Sequence, residues 1–349
     1  MQTEYIKVSA DDLERDFSIL LRAGEIIRNG GLVVFPTETV YGLGGNALDA
    51  SAAEKIYAAK GRPADNPLIV HINEPQEAEP FAMTTPLYHR IAEAFMPGPI
   101  TVILSAKENL SRNVTAGLNT VAVRCPSHPV ARALIRIAGV PIAAPSANLS
   151  GSTSPTDALH VKDDMDGRVH MIIDGGACSC GVESTIVKPE ADGTLLLLRP
   201  GFITKEMLEE TLGVSVTVAP SVLGQLKEGE RVLSPGMKYR HYAPKAPLIL
   251  LDGSAKERQY FLAEQKGRVA YLCYEEEKKA LAPLSVALYV IGREGDKEKQ
   301  AQSLFRVLRD VDKEGYDTIF APLPDTEGVG MALYNRMIRA AAHHIQHLS

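Results

Sequence analysis

The chain has 349 residues, 45% of them hydrophobic and 23% charged, a composition that excludes disordered, collagen-like and fibrous chains and predicts two domains at ~100 to 200 residues per core. Lysine and arginine number 37 against 43 aspartates and glutamates, for a net charge of −6. Residues 1–242 hold all of that excess, with 22 basic and 28 acidic residues against 15 of each in 243–349, whereas a bulk electrostatic binder of nucleic acid has the opposite sign. No apolar run approaches the ~18 residues of a membrane span, and residues 1–16 have neither a basic nor an apolar leader region; a cytoplasmic protein is expected. Four cysteines (Cys125, Cys178, Cys180 and Cys273) are too few for a disulfide framework, and Cys178-x-Cys180 lacks a second pair at zinc spacing. Reduced structural thiols are expected.

In chain order, apolar periodicity predicts a helix over Asp11–Asn29, a strand Leu32–Phe35, a helix Ser51–Ala59 and a strand Leu68–Ile72. A helix Leu87–Phe95, strands Thr101–Leu104 and Thr120–Arg124, a helix Pro129–Ala138 and a short strand Ile142–Ala144 follow. Strands Val169–Ile173, Ser184–Lys188 and Leu195–Arg199 and a helix Lys205–Leu212 complete an α/β domain over residues 1–215 with a twisted sheet. Residues 216–246 lose periodicity among Pro220, Gly224, Gly229, Pro235, Gly236 and Pro244 and read as a linker. The tail, residues 247–349, alternates strands Leu248–Leu251, Arg268–Cys273, Val286–Ile291 and Thr318–Ala321 with helices Lys256–Gln265, Lys297–Asp312 and Met331–His347. That alternation predicts a small doubly wound, Rossmann-like parallel sheet.

No Gly-Lys dipeptide occurs, which excludes a Walker A loop. Gly42-x-Gly44-x-x-Ala47 follows its strand too late for a dinucleotide fingerprint. It reads instead as a glycine-rich loop over the end of the first strand, where Thr37 and Thr39 offer hydroxyls and Gly42, Gly44 and Gly45 let backbone amides approach a ligand. Lys60-Gly-Arg62 places two cations between a helix and Asn66-Pro67, a pattern that suits phosphate or carboxylate oxygens and equally a basic helix C-terminus. His71, Arg124 and Arg199 end strands, and Ser146-x-Asn148 and Glu183-Ser184 flank strands, so a shared crevice for an anionic ligand is expected, with no Gly-x-Ser-x-Gly elbow for covalent chemistry. The linker gathers Lys238, Tyr239, Arg240, His241 and Tyr242, aromatic and cationic residues that suit a nucleotide base and phosphates.

Together, Pro36-Thr-Glu-Thr-Val-Tyr-Gly-Leu43, Lys60-x-Arg62 with Ser146-x-Asn148, Glu183-Ser-Thr-Ile-Val187 and Ser234-Pro-Gly-Met-Lys-Tyr-Arg-His-Tyr-Ala-Pro244 resemble the threonylcarbamoyl-AMP synthase (YrdC-like) family in its long two-domain form. The resemblance implies a twisted open mixed sheet with a small Rossmann-like C-terminal domain. It also implies an enzyme that joins L-threonine, bicarbonate or CO2, and ATP into threonylcarbamoyl-AMP and pyrophosphate, for threonylcarbamoyladenosine modification of tRNA. Carried onto this chain, the threonine site is Thr39, His71, Arg124, Ala144 and Ser184. The nucleotide site is Lys60, Arg62, Asn66, Thr120, Ser146, Asn148, Ser154, Arg199 and a linker tyrosine, Tyr239 or Tyr242, with Lys60 and Arg62 acting on the reacting charges. Mg²⁺ is implied with ATP, and the linker over residues 216–246 is expected to act as a lid. The product's implied acceptor is a tRNA-modifying transferase complex, direct tRNA binding is expected to be weak or absent, and no membrane is implicated. Two other readings are an RNA-binding module of the same fold and carbamoyl transfer in hydrogenase maturation; the acidic first part disfavours the former, and the missing zinc-finger cysteines the latter.

Overall fold

A computed structural model describes residues 2–224 and 242–349. Contacts divide the chain into two compact units, Met1–Ser150 with Ser154–Lys238, and Gly151–Thr153 with Tyr239–Ser349. The first is built on strands β1 (Glu4–Lys7), β2 (Val33–Phe35), β3 (Gly42–Asn46), β4 (Ile69–His71), β5 (Ala82–Met83) and β6 (Ile100–Ala106). It continues with β7 (Thr120–Arg124), β8 (Ile142–Ala143), β9 (Met171–Asp174), β10 (Thr185–Pro189), β11 (Leu195–Arg199) and β12 (Val216–Val218). They form a 12-stranded mixed sheet in the order β1-β9-β2-β3-β8-β4-β7-β6-β10-β11-β12, with β5 on β6. The second unit has β13 (Leu248–Asp252), β14 (Val269–Tyr274), β15 (Ala287–Gly292), β16 (Thr318–Pro322) and β17 (Ile345–His347) in the order β15-β14-β16-β13-β17, every pair parallel. The expected twisted mixed sheet and small doubly wound parallel sheet are both present.

Strand β2 is apolar at every position because both its faces are covered. Helices Phe17–Arg28 and Pro129–Ala138 lay Leu20, Ala23, Ile27, Leu134 and Ala138 onto Val33, Phe35, Met171 and Ile173. Their approach requires a glycine, since a Cβ on Gly24 would lie 2.9 Å from the Ile137 side chain. Helix Pro129–Ala138 is delimited by its sequence: Pro129 opens it, the His128 ring accepts from the Val130 amide, and Gly139 closes it at φ 64°.

Among the segments that differ from the periodicity, three show how. The first helix begins at Phe17, because the Asp16 carboxylate accepts from the Ser9 amide at 2.8 Å and from Arg15, tying the preceding residues into turns. The last helix stops at Ala340: Ala342 and His343 adopt φ 48° and 64°, and Ile345–His347 then pairs with β13, too short a strand to register as alternation. Val216–Val218, within the stretch that composition marks as linker, instead extends the first sheet as β12 beside β11.

Candidate active site

Strand directions gather the predicted residues at two places. Strands β4 and β7 run parallel with His71 paired to Arg124, β6 runs antiparallel to β7 and parallel to β10, and β11 returns antiparallel to β10. The carboxyl ends of β4, β7 and β11 and the starts of β6 and β10 therefore share one edge, which brings together His71, Arg124, Thr101, Ser184 and Arg199. Thr120 opens the strand that Arg124 closes. Four residues at ~3.3 Å each separate them by ~13 Å on the same face, since side chains repeat with period two.

At the first edge, the polar side chains are buried and, with one exception, hydrogen-bonded. Arg124, 3% exposed, donates from Nη2 to Glu38 at 2.7 Å, while its Nε is buried without a hydrogen-bond partner. The Ser184 hydroxyl shares a 2.7 Å hydrogen bond with Thr101, and Arg199 donates from Nη2 to the same hydroxyl at 3.0 Å and from Nε to the Ser184 carbonyl at 2.9 Å. Burial, and secondarily the Arg124 charge, pulls the His71 imidazole down to about 3, so the ring is neutral near pH 7. Its Nδ1 lies 3.2 Å from the Ile69 carbonyl, and Phe35 meets the ring edge-on at 6.0 Å. Thr39 is fully buried, its hydroxyl 2.9 Å from that of Thr37 in the turn between β2 and β3.

At the second place, the left-handed Gly61 (φ 60°) ends helix Ala50–Lys60 and separates the two cations. Lys60, 3% exposed, donates to the main-chain carbonyls of Ser146 at 2.5 Å and Asn148 at 2.6 Å. The ammonium thus straps down the loop after β8, where Ser146 also bonds the Asn148 side chain at 2.6 Å. Arg62 donates to the carbonyls of Asn66 at 3.1 Å and Pro67 at 3.2 Å. The Tyr57 hydroxyl adds a 3.0 Å bond to the Asn66 carbonyl. The Asn66 backbone is thereby fixed, yet both polar atoms of its side-chain amide are buried without a partner. Ala144, just beyond β8, donates its amide to the Ile69 carbonyl at 2.9 Å.

Some expectations change. The glycines expected in a loop lie in a strand: Gly42–Asn46 is β3, and a Cβ on Gly44 would lie 2.7 Å from the Phe35 ring and 2.8 Å from Ile142. These glycines let the strand pack under aromatic and aliphatic side chains. Ser154 lies beside Glu183, to which its hydroxyl donates at 2.6 Å. Tyr242 belongs to the second unit, where its ring stacks on Phe305 at 5.1 Å, and Tyr239, Lys238, Arg240 and His241 lie outside the described residues. Sequence reasoning gave no individual role to Glu38, Thr101 or Glu183; the one available signal for Glu38 was a single acidic residue between Thr37 and Thr39 in the turn after the first predicted strand.

Comparison with known proteins bears on these clusters. A family model described as telomere recombination matches residues 25–201, and one described as threonylcarbamoyl-AMP synthase, C-terminal domain, matches residues 203–342. The threonylcarbamoyl-AMP synthase of Bacillus subtilis is 47% identical over 338 residues, covering 95% of each chain. The chain belongs to the threonylcarbamoyl-AMP synthase family. The Pyrococcus abyssi relative of the same name is 42% identical over 335 residues, 95% of this chain and 96% of that one. The crystal structure of P. abyssi Sua5 complexed with L-threonine superposes with a TM-score of 0.88 at 38% identity, covering 99% of this chain and 100% of that one. In this threonylcarbamoyl-AMP synthase family member, β7 ends on a buried arginine whose Nε is unbonded, and the residues before β4 include Asn66, whose buried amide is unbonded as well. Among the described residues no three His, Cys, Asp or Glu side chains gather as a metal group, and no described helix is long and apolar enough to cross a membrane.

Proposed function

We propose that this chain condenses L-threonine, bicarbonate or CO2, and ATP into threonylcarbamoyl-AMP and pyrophosphate. Buried polar atoms without partners support the reading most directly. Leaving Arg124 Nε and both ends of the Asn66 amide unbonded costs ~1–3 kcal/mol each, a penalty that ligand contacts relieve. The threonine α-carboxylate accepts from Arg124, within reach of Thr39, His71, Ala144 and Ser184, and the nucleotide takes the Asn66 and Thr120 end. Ser146, Asn148, Arg62, Ser154 and Arg199 complete the nucleotide contacts assigned by resemblance.

The threonine amine attacks the carbon of CO2, or of bicarbonate with loss of water, and gives up a proton to form the carbamate. A carbamate oxygen then attacks the α-phosphorus of ATP and the bond to the β-phosphate bridging oxygen breaks, releasing pyrophosphate. No protein nucleophile intervenes: the chain contributes orientation and fixed positive charge. Lys60 acts mainly by fixing the loop that carries Ser146 and Asn148, with Arg62 nearer the phosphates. Mg²⁺ arrives as part of the nucleotide substrate, held by phosphate oxygens and water. The neutral His71 donates or accepts a hydrogen bond at the threonine without adding charge. Further on, the product serves a transferase that passes the threonylcarbamoyl group to tRNA.

The test is pyrophosphate release from ATP with bicarbonate, with L-threonine, with L-serine and with neither. Release that depends on threonine and falls at least about a hundredfold in kcat/KM in Arg124→Ala agrees with loss of a buried charge-assisted contact. Turnover indifferent to threonine would defeat the proposal.

A further inference from the structure

The partner of Arg124 has no role in the chemistry above, which makes its placement informative. Glu38 sits in the turn between β2 and β3, 6% exposed, one carboxylate oxygen accepting from Arg124 Nη2 at 2.7 Å and the other from the Ser127 amide at 3.2 Å. Its carbonyl accepts from the Cys180 amide at 2.7 Å, so backbone and side chain are both anchored. Desolvating two charges is costly, and an apolar pair of the same volume commonly serves stability as well or better. Stability is therefore a poor reason for this pair.

The geometry supplies another reason. Arginine–carboxylate pairs are frequently bidentate, yet here the carboxylate spends its second oxygen on a backbone amide while Nε stays buried and unbonded. What remains is a fixed guanidinium with an unused donor and, beside it, a fixed negative charge, with His71, paired to Arg124 across β4 and β7, buried next to them. The complement of that arrangement is a molecule carrying one carboxylate and one ammonium group.

We propose that Glu38 is a positioning and specificity-determining residue, holding Arg124 by one nitrogen so that Nε meets the substrate α-carboxylate, and balancing the arginine's charge so that a zwitterionic amino acid is admitted over a hydroxy acid anion of the same shape. The inference rests on the threonine site proposed above. It predicts that charge balance, not only shape, discriminates at this site.

The experiment compares L-threonine with its analogue 2,3-dihydroxybutanoate, in which a hydroxyl replaces the amine, by calorimetric binding to the full chain and by inhibition of threonine-dependent pyrophosphate release. Glu38→Gln keeps the shape and removes the charge; it is expected to raise the KM for threonine about tenfold, leave the KM for ATP within about twofold, and shift the preference toward the anionic analogue by about tenfold. Glu38→Asp keeps the charge and withdraws it by one methylene, so the preference for threonine survives while its KM rises. Should Glu38→Gln not fold, the aspartate variant still decides, because an unchanged KM for threonine overturns the proposal. A folded Glu38→Gln with wild-type selectivity overturns it as well. A wild-type chain without threonine-dependent turnover defeats the enzymatic reading instead, and the binding arm, which needs no turnover, still reads selectivity.

Discussion

Replacing Lys60 by methionine separates two roles that one residue could play. In the structure its ammonium is spent on the carbonyls of Ser146 at 2.5 Å and Asn148 at 2.6 Å, at 3% exposure. Hydrogen bonds from a charged donor contribute ~1.5–3 kcal/mol each, and their loss leaves two carbonyls to find new partners. Lys60→Met is therefore expected to destabilise the first unit by ~3–5 kcal/mol. At ~2–4 °C per kcal/mol for a unit of this size, its melting temperature should fall by ~6–20 °C. Circular dichroism on heating reads the shift, and the KM for ATP, measured well below the transition, reads the loss of order in the loop carrying Ser146 and Asn148. A variant that loses activity while melting with the wild type would refute the strap and return Lys60 to the phosphates alone.

Three further outcomes follow from particular contacts. Gly44→Ala places a Cβ 2.7 Å from Phe35 and 2.8 Å from Ile142, and overpacking of this kind should cost ~1–3 kcal/mol in urea unfolding; unchanged stability would mean that β3 has room to move. Burial pushes the Cys125 thiol up to about 12 and that of Cys273 up to about 11, and raises Cys178 as well, so these thiols should resist a thiol reagent at pH 8 until the chain is unfolded. Rapid labelling of any of the three in the native protein contradicts that. His71 is held down to about 3 from 6.5: the unfolded ring takes a proton first, so stability is full above about 6.5 and is lost as pH falls toward about 3. Urea unfolding at pH 7 and pH 5 should show a smaller decline in His71→Asn than in wild type, and equal declines would refute a buried neutral imidazole.

Much of the architecture was legible because buried strands and amphipathic helices write their period into the chain. Strands β7 and β11 and helix Pro129–Ala138 fall on the residues that alternation and capping mark. Strands β3 and β17 did not, for opposite reasons: β3 is four-fifths glycine and asparagine because Phe35 and Ile142 fill the space over it, and β17 is three residues long. At the site, local pattern identified the ends of strands but not what lies across from them. Thr101 gained meaning only when β6 and β10 came side by side, Glu183 when Ser154 reached it from 29 residues away, and Glu38 when the turn after β2 reached Arg124, 86 residues away in the chain.

Whether this chain makes a threonylcarbamoyl adenylate is read from mass spectrometry of the reaction product with ¹³C-bicarbonate, L-threonine and ATP. The expected product joins threonine and AMP through one labelled carbon, forms with equimolar pyrophosphate and is abolished in Arg124→Ala. Pyrophosphate release without label in an adenylated product, or an adenylate of threonine lacking the labelled carbon, would contradict it.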